Sequence, residues 1–499
     1  MPLKSFNAIP RVALHRAPRL ALAAVALAGL AACANFSGIT PEAQLRQAPA
    51  ADANAPVVAA VDAEWWHGFA DPQLDRLVAQ ALDGSPNLKL AQARLRRAQA
   101  ATEGVQSATL PQVAANGQAM RQLYSANGLY PPPYGGGIYN SGTAQLSANW
   151  ELDFFGKNRA ALEAALGQAQ AAQADTQAAR VLLVSQVARS YFQLLRLNGQ
   201  LALANRTLAQ RSELLALVRD RVNAGLDTRL ELNQSQGSLP EARQQIEALN
   251  EQIALARNGL SALIGQSNAA DALVLPALEA IKNVANIQTI PADLLGRRAD
   301  IAAARWRVEA AGADVSSTKA QFYPDINLMG FAGFSSIGLG NLLQAGSQQW
   351  GIGPAIHLPI FDAGRLRAGL KTKTADLDAA VESYNAALVD AVRDVADQLT
   401  SQQSIARQQA EQRAAQQAAE AAYEIAVQRY SAGLGNYLNV LTAETAVLAQ
   451  RRSQVDLAAR ALDTQVALVR SLGGGYASTV PTRNGYNANA TESIAARAY

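Results

Sequence analysis

The sequence predicts an α+β membrane protein in which long helices carry a few strands of membrane-crossing length. Three observations lead there. A helix-ending turn occurs twice, apolar residues recur every seventh position through long stretches, and segments of strict alternation lie between them.

The chain opens with a basic stretch, Lys4, Arg11, Arg16 and Arg19, followed by the apolar run LALAAVALAGL at 20–30. Residues 1–32 read as a secretory signal, because the run is too short for a comfortable membrane span. The formal net charge of +3 comes from this segment. Without it the basic and acidic side chains nearly balance, which removes any general attraction for nucleic acid. Leu30-Ala31-Ala32-Cys33 resembles a bacterial lipobox, whose cysteine is lipidated and becomes the first mature residue. Ala34 follows it, a pattern that implies passage to the outer membrane. Cys33 is the only cysteine, so no intrachain disulfide is possible. The expected cofactor is therefore none beyond a covalent lipid on Cys33, followed by an anchored segment at 33–71.

The body of the chain is two halves, 72–265 and 293–473, separated by a linker at 266–292 and followed by a tail at 474–499. Residues 221–232 read RVNAGLDTRLEL and residues 429–440 read RYSAGLGNYLNV. Gly225 and Gly433 are 208 positions apart, and so are Gly265 and Gly473. Upstream, Leu110-Pro111-Gln112-Val113 aligns with Tyr323-Pro324-Asp325-Ile326, and Arg159 with Arg365. Each half is expected to run helix, strand pair, long helix, turn, helix.

The strand pairs fall at 112–153 and 325–360. In 143–153, Ala144, Leu146, Ala148, Trp150 and Leu152 alternate with polar residues; in 349–360, Trp350, Ile352, Pro354, Ile356, Leu358 and Ile360 share one face. Segments 112–121 and 325–334 are the looser partners. Each is about ten residues, the length of a transmembrane β-strand. Pro354 and Pro359 are awkward in a central strand and mark where strand gives way to helix. Four strands cannot close a barrel, and lipid does not tolerate an open edge. Three chains would supply twelve strands, an even number within the bacterial range.

The helices are marked by heptads. Val187, Leu194, Leu201, Leu208, Leu215 and Val222 form one series; Leu232, Leu239, Ile246, Ile253 and Leu260 a second; Leu441, Leu448, Val455, Leu462 and Val469 a third. Residues 157–222 would make a rod about 100 Å long at ~1.5 Å per residue. Pro240 should bend its helix. Gly225 and Gly433 supply the left-handed residue that ends a helix and reverses the chain. Charged heptad positions such as Glu247, Arg393 and Asp394 read as solvated faces.

Catalytic chemistry finds no foothold. His67 and His357 have no defensible partner at metal-ligand spacing, and no nucleophile motif, P-loop or dinucleotide fingerprint occurs. The expectation is no enzyme and no metal site. Gly473-Gly474-Gly475 follows a helix and reads as its stop. A lipid-tethered spacer without a pore would share the heptads and the lipobox, but has no use for duplicated strand pairs.

Several motifs together resemble one family: WWHGFADPQLDRL (65–77), WELDFFGKNR (150–159), LGRRADIAAAR (295–305), AQFYPDINL (320–328), PIFDAGRLRAG (359–369) and RYSAGLGNYLNVLTAE (429–444). The chain looks like an outer membrane factor, a TolC-like, NodT-type lipoprotein of tripartite pumps. The resemblance covers nearly the whole mature chain. It implies a homotrimer with a twelve-stranded β-barrel in the outer membrane, continuous with a twelve-helix α-barrel in the periplasm. A mixed belt would surround the α-barrel. It implies a passive exit duct docked to a periplasmic adaptor (membrane fusion) protein and an inner-membrane RND-type transporter. Gly225-Leu226 and Gly433-Leu434 match adaptor-docking turns, Tyr430 a gate tyrosine and Glu231 a gate acid, with Asp227 and Arg229 as charged neighbours. The sequence departs from the pattern at Asn439 and Thr442, where acids are usual. It departs also at Gly435, a gate-arginine position, and at Ala299, where the family usually has proline. The exported substrate is left open.

Overall fold

The structure, a computed structural model, describes residues 36–46, 61–282 and 298–476. The signal segment and Cys33 lie outside the described residues. The helices are α1 (Pro72–Gly84), α2 (Pro86–Ser107), α3 (Lys157–Asn223), α4 (Arg229–Ile264), α5 (Ala299–Ala320), α6 (Arg365–Ser431) and α7 (Tyr437–Ser471). The strands are β1 (Gln112–Leu123), β2 (Ile138–Leu152), β3 (Asp325–Ile337) and β4 (Gln348–His357). Both halves follow the expected order, except that two helices open the first. Pro86 has no N–H to continue α1 and restricts Ser85, so the chain breaks there and restarts with proline at the first helical position. Ala299 occupies the first turn of α5, where a proline would also fit.

Helices α3 and α6 each span 67 residues, about 100 Å. Near the sheet, α3 lies between α2 and α5, and α5 bridges to α6. Farther away, α3 lies between α4 and α7, and α7 bridges to α6. The wall is therefore one helix thick at either level. Heptad residues follow this arrangement. Val187 and Leu194 are fully buried midway along α3, whereas Leu201, Leu208 and Val222 are half-exposed on the free wall. Helix α4 runs on through Pro240 without interruption.

The largest core packs on the middle of α3. A short 3-10 turn, Trp65–Phe69, and α1 lay Trp65, Trp66, Phe69, Leu74, Leu77 and Val78 on Val187, Tyr191, Leu194 and Leu195. Asp71 fastens this belt twice: it caps α1 by accepting from the Gln73 N–H at 2.8 Å, and it accepts the Tyr191 hydroxyl at 2.6 Å. Burial and that carboxylate push the Tyr191 hydroxyl pKa far upward, so it stays a neutral donor. Gly84 and Gly265 let the ends of α1 and α4 abut; a Cβ on Gly84 would sit 2.3 Å from the Ile264 carbonyl oxygen.

The sheet is antiparallel in the order β1-β2-β3-β4, with β1 and β4 at its edges. Register places Val113, Ala148, Gly330 and Ile352 in one row across all four strands, and Leu328 between Trp150 and Pro354 in another. That face is apolar, and Val113, Leu146, Trp350, Ile352 and Ile356 on it are exposed. The opposite face carries Asn116, Gln118, Thr143, Gln145, Ser147, Asn149, Glu151 and Asn327, with Met120, Met329 and Phe331 as apolar exceptions.

Several sequence expectations change in detail. The strands start earlier or end later than the alternation suggested, except β4, which stops at His357 and leaves Pro359 and Ile360 outside. Proline cannot donate to the ladder, so Pro359 ends it, whereas Pro354 is tolerated in an edge strand. Asp394 is not simply solvated: it lies 3.6 Å from Arg298, which also pairs with Asp300. His67 does meet carboxylates, Asp75 at 2.8 Å and Glu64 at 3.4 Å, because α1 folds Asp75 back over the preceding turn. Among the described residues, no helix is long and apolar enough to cross a membrane.

Candidate functional site: the helical tip

Both long helices end in the same way. Gly225 has φ 74° and Gly433 φ 76°. The Gly225 N–H donates to the Val222 carbonyl at 3.0 Å and the Leu226 N–H to that of Arg221 at 2.9 Å. Gly433 and Leu434 repeat this on Tyr430 and Arg429, at 3.1 and 2.8 Å. These are Schellman closures, which need a left-handed residue and so favour glycine. Leu226 and Leu434 then project outward, 64% and 70% exposed. A Cβ on Gly225 would meet nothing within 4 Å.

The caps that restart the chain differ. Thr228 and Glu231 form a capping box at α4: the Thr228 hydroxyl accepts from Leu230, and Glu231 accepts from the Thr228 N–H at 2.9 Å. The Thr228 hydroxyl also donates to Glu231 and lowers its pKa. The equivalent position after the second turn is Asn439, whose N–H is capped by Asn436 at 3.1 Å. Thr442 turns its hydroxyl onto the Leu438 carbonyl. Arg229 stands exposed at the start of α4.

Inside the tip, Asp227 and Tyr430 meet through a residue that sequence reasoning did not single out as functional. Arg221, 9% exposed, donates from Nε to Asp227 Oδ2 at 2.9 Å and from Nη1 to the Tyr430 carbonyl at 2.9 Å. Its guanidinium lies 4.6 Å over the Tyr430 ring, and the Tyr430 hydroxyl donates to Asp227. Burial alone would raise the Asp227 pKa, but hydrogen bonds from Arg221 and Tyr430 outweigh it and hold the pKa below the ordinary value. Burial, then the Asp227 hydrogen bond, raises that of Tyr430. Tyr430 also packs with Leu214, Val218, Tyr437 and Val440, so polar and apolar contacts tie α3 to α6 and α7. The repeat held the one signal that could have found Arg221, because Arg221 and Arg429 are duplicates. Arg429 meets Gly435 where Arg221 meets Asp227, and among the described residues it bonds only the Leu434 carbonyl, at 3.3 Å.

Higher in the wall a second junction joins three helices. Arg211 of α3 binds Glu444 of α7 at 2.9 Å, and the Ser238 carbonyl and Glu241 of α4 at 3.0 and 3.2 Å. No group of three or more potential metal ligands forms among the described residues. The tip can clasp one hairpin to the other and offer two exposed leucines to a partner.

A one-layer helical wall, an open sheet with one apolar face, and paired hairpin tips are the parts of a channel that passes cargo across the outer membrane. Residues 77–266 and 290–474 match the outer membrane efflux protein family, and the chain belongs to it. It is similar to the fusaric acid resistance protein FusA of Burkholderia cepacia, 38% identical over 361 residues, 70% of this chain and 68% of that one. It is 32% identical to the multidrug resistance outer membrane protein MdtQ of Escherichia coli over 465 residues, 90% of this chain and 96% of that one. The solved structure of the outer membrane protein VceC from Vibrio cholerae superposes with a TM-score of 0.79 at 36% identity, covering 83% of this chain and all of that one. The protein is thus an efflux channel of the outer membrane.

Proposed function

We propose that three copies of this chain close one continuous duct, a twelve-stranded barrel in the membrane joined to a twelve-helix barrel below it. The observation that carries this is the open sheet: β1 and β4 have free edges, and lipid cannot satisfy an unpaired strand. The apolar face then meets lipid and the polar face lines the lumen. Four helices per chain at each level give twelve in the wall. The matched element order of the two halves supports an internal duplication behind this geometry.

In this reading Gly225, Leu226, Gly433 and Leu434 dock a periplasmic adaptor, which connects the duct to an inner-membrane RND-type transporter. Asp227 and Tyr430, clamped by Arg221, hold the tip closed, with Glu231 and Arg229 at its rim. Cargo moves passively, and choice of cargo belongs to the partners. Cys33 carries lipid. Support comes from the strap at 36–46. Phe36 packs edge-on against Phe322, 5.8 Å between centroids, just before β3. From there the strap descends along α6, where Asp378 accepts from the Glu42 and Ala43 N–H groups and Asn385 both accepts from Arg46 and donates to the Gln44 carbonyl. Residue 36 is thus at the membrane end, and three residues span at most about 10 Å.

Mass measurement of the full chain in lipid nanodiscs tests the assembly. A trimer that conducts ions in planar bilayers is expected; a monomer without conductance would sink the proposal.

A further inference from the structure

Helix α3 has two opposite faces at mid-length. Val187, Tyr191, Leu194 and Leu195 are covered by the belt of Trp65, Trp66 and Phe69. Arg189, Gln193, Arg196 and Gln200 recur at three- and four-residue spacing on the other side. There α4 and α7 flank α3 and leave a groove of about 830 Å³. Because the wall is one helix thick, the groove opens on the side away from the belt. In the trimeric duct that side is the lumen, and the inference rests on that reading.

The groove is built for charge. Arg189 makes a two-pronged pair with Asp463, Nε to Oδ1 at 2.5 Å and Nη2 to Oδ2 at 3.1 Å. Arg196 donates to Asp456 at 2.9 Å, and the same oxygen accepts from Gln200 at 2.8 Å. Both carboxylates are committed to these pairs. A third arginine, Arg460, lines the groove from α7 and forms no ion pair with either of them. Three guanidinium groups face two carboxylates, over a floor that includes the partly buried Ala256 and Leu263. Gly259 of α4 widens the space, since a Cβ there would meet nothing within 4 Å.

We propose that this groove binds small organic anions with an apolar body, and that Arg460 is the residue that draws the anionic group. The apolar body lies against Ala256 and Leu263, and the anion takes the guanidinium that no carboxylate among the described residues occupies. A planar guanidinium holds a carboxylate by paired hydrogen bonds, which a compact ammonium cannot copy in full. Three such grooves in a trimer would place a ring of resting sites halfway along the duct.

The test is equilibrium binding of 1-naphthoate to the detergent-solubilised full-length protein, with 1-naphthylmethylammonium as the cationic control. Naphthoate should bind saturably, about one per chain, and the control about tenfold or more weakly. Arg460→Glu should weaken naphthoate about tenfold or more, and Arg460→Lys by about threefold or less. Gly259→Leu fills the groove without touching a charge and should weaken naphthoate by a similar factor of about ten. Exposed Arg413→Glu, remote from the groove, should leave binding unchanged. Binding that is absent, or equal in wild type and Arg460→Glu, would overturn the proposal. A monomer by mass in the same sample would overturn the trimeric duct instead, while Arg460-dependent binding would leave the groove standing.

Discussion

Arg221 divides its nitrogens between a carboxylate six residues ahead and a carbonyl 209 residues away. Removing it leaves Asp227 largely buried with only the Tyr430 hydroxyl, and breaking a buried pair of this kind costs about 3 kcal/mol. Arg221→Ala should therefore raise the resting conductance of the channel in bilayers. Tyr430→Phe removes one hydrogen bond and should raise it less, by about tenfold or under for about 1 kcal/mol. An unchanged resting conductance in both variants would show that the clasp does not hold the tip closed. The clasp should also be insensitive to mild acid. Asp227 has a folded pKa below its ordinary value of 3.8, so its contribution is fully present above that value and is lost only as pH falls through the lowered one. Conductance should stay flat between about pH 5 and 8 and rise only below about pH 4. A transition near pH 6 would point to another titrating group.

At the scale of elements, the turns that end α3 and α6 have room for a side chain but not the backbone for one. A non-glycine residue at positive φ costs about 1–2 kcal/mol, which long, well-packed helices tolerate. Gly225→Trp and Gly433→Trp should therefore assemble normally, while cells carrying them lose efflux because the bulky ring blocks docking. Unaltered drug resistance would refute the docking assignment. The Arg211 junction makes the opposite prediction. Arg211→Ala leaves buried Glu444 without its partner, at a cost of about 3 kcal/mol, and should lower the thermal stability of the assembled protein. The glycine turns, heptad stripes and strand alternation were all legible from sequence, because each depends on spacing within one element. The capping role of Glu231 was within reach too, since Thr228 stands three residues before it. The belt was not. Its turn and α1 dock on α3 through Asp71 and Tyr191, 120 residues apart, and no local pattern announces that bond.

For the whole molecule, the decisive quantity is the number of chains. A sheet with two free edges and a wall one helix thick leaves apolar surface on both flanks. In the proposed trimer, closure by identical copies would remove it and satisfy the edges together. In the proposed assembly the barrel itself would retain the protein in the membrane, and the proposed lipid on Cys33 would add to it. Cys33→Ser should abolish incorporation of labelled fatty acid yet leave the trimer in the outer-membrane fraction with reduced efflux. Complete loss of insertion would assign the anchor a larger role than the barrel.

The chain by itself determined the elements: two long helices, two strand pairs with one apolar face, two glycine turns and the order that repeats them. Each follows from periodicity or backbone chemistry acting over a few residues. Only tertiary structure decided which side chains meet. It paired Arg221 with Tyr430, Arg211 with Glu444, and Arg189 with Asp463, and left Arg460 without a carboxylate among the described residues. Those outcomes depend on the register of helices far apart in sequence, which is set by packing along their whole length and not by the residues at the site.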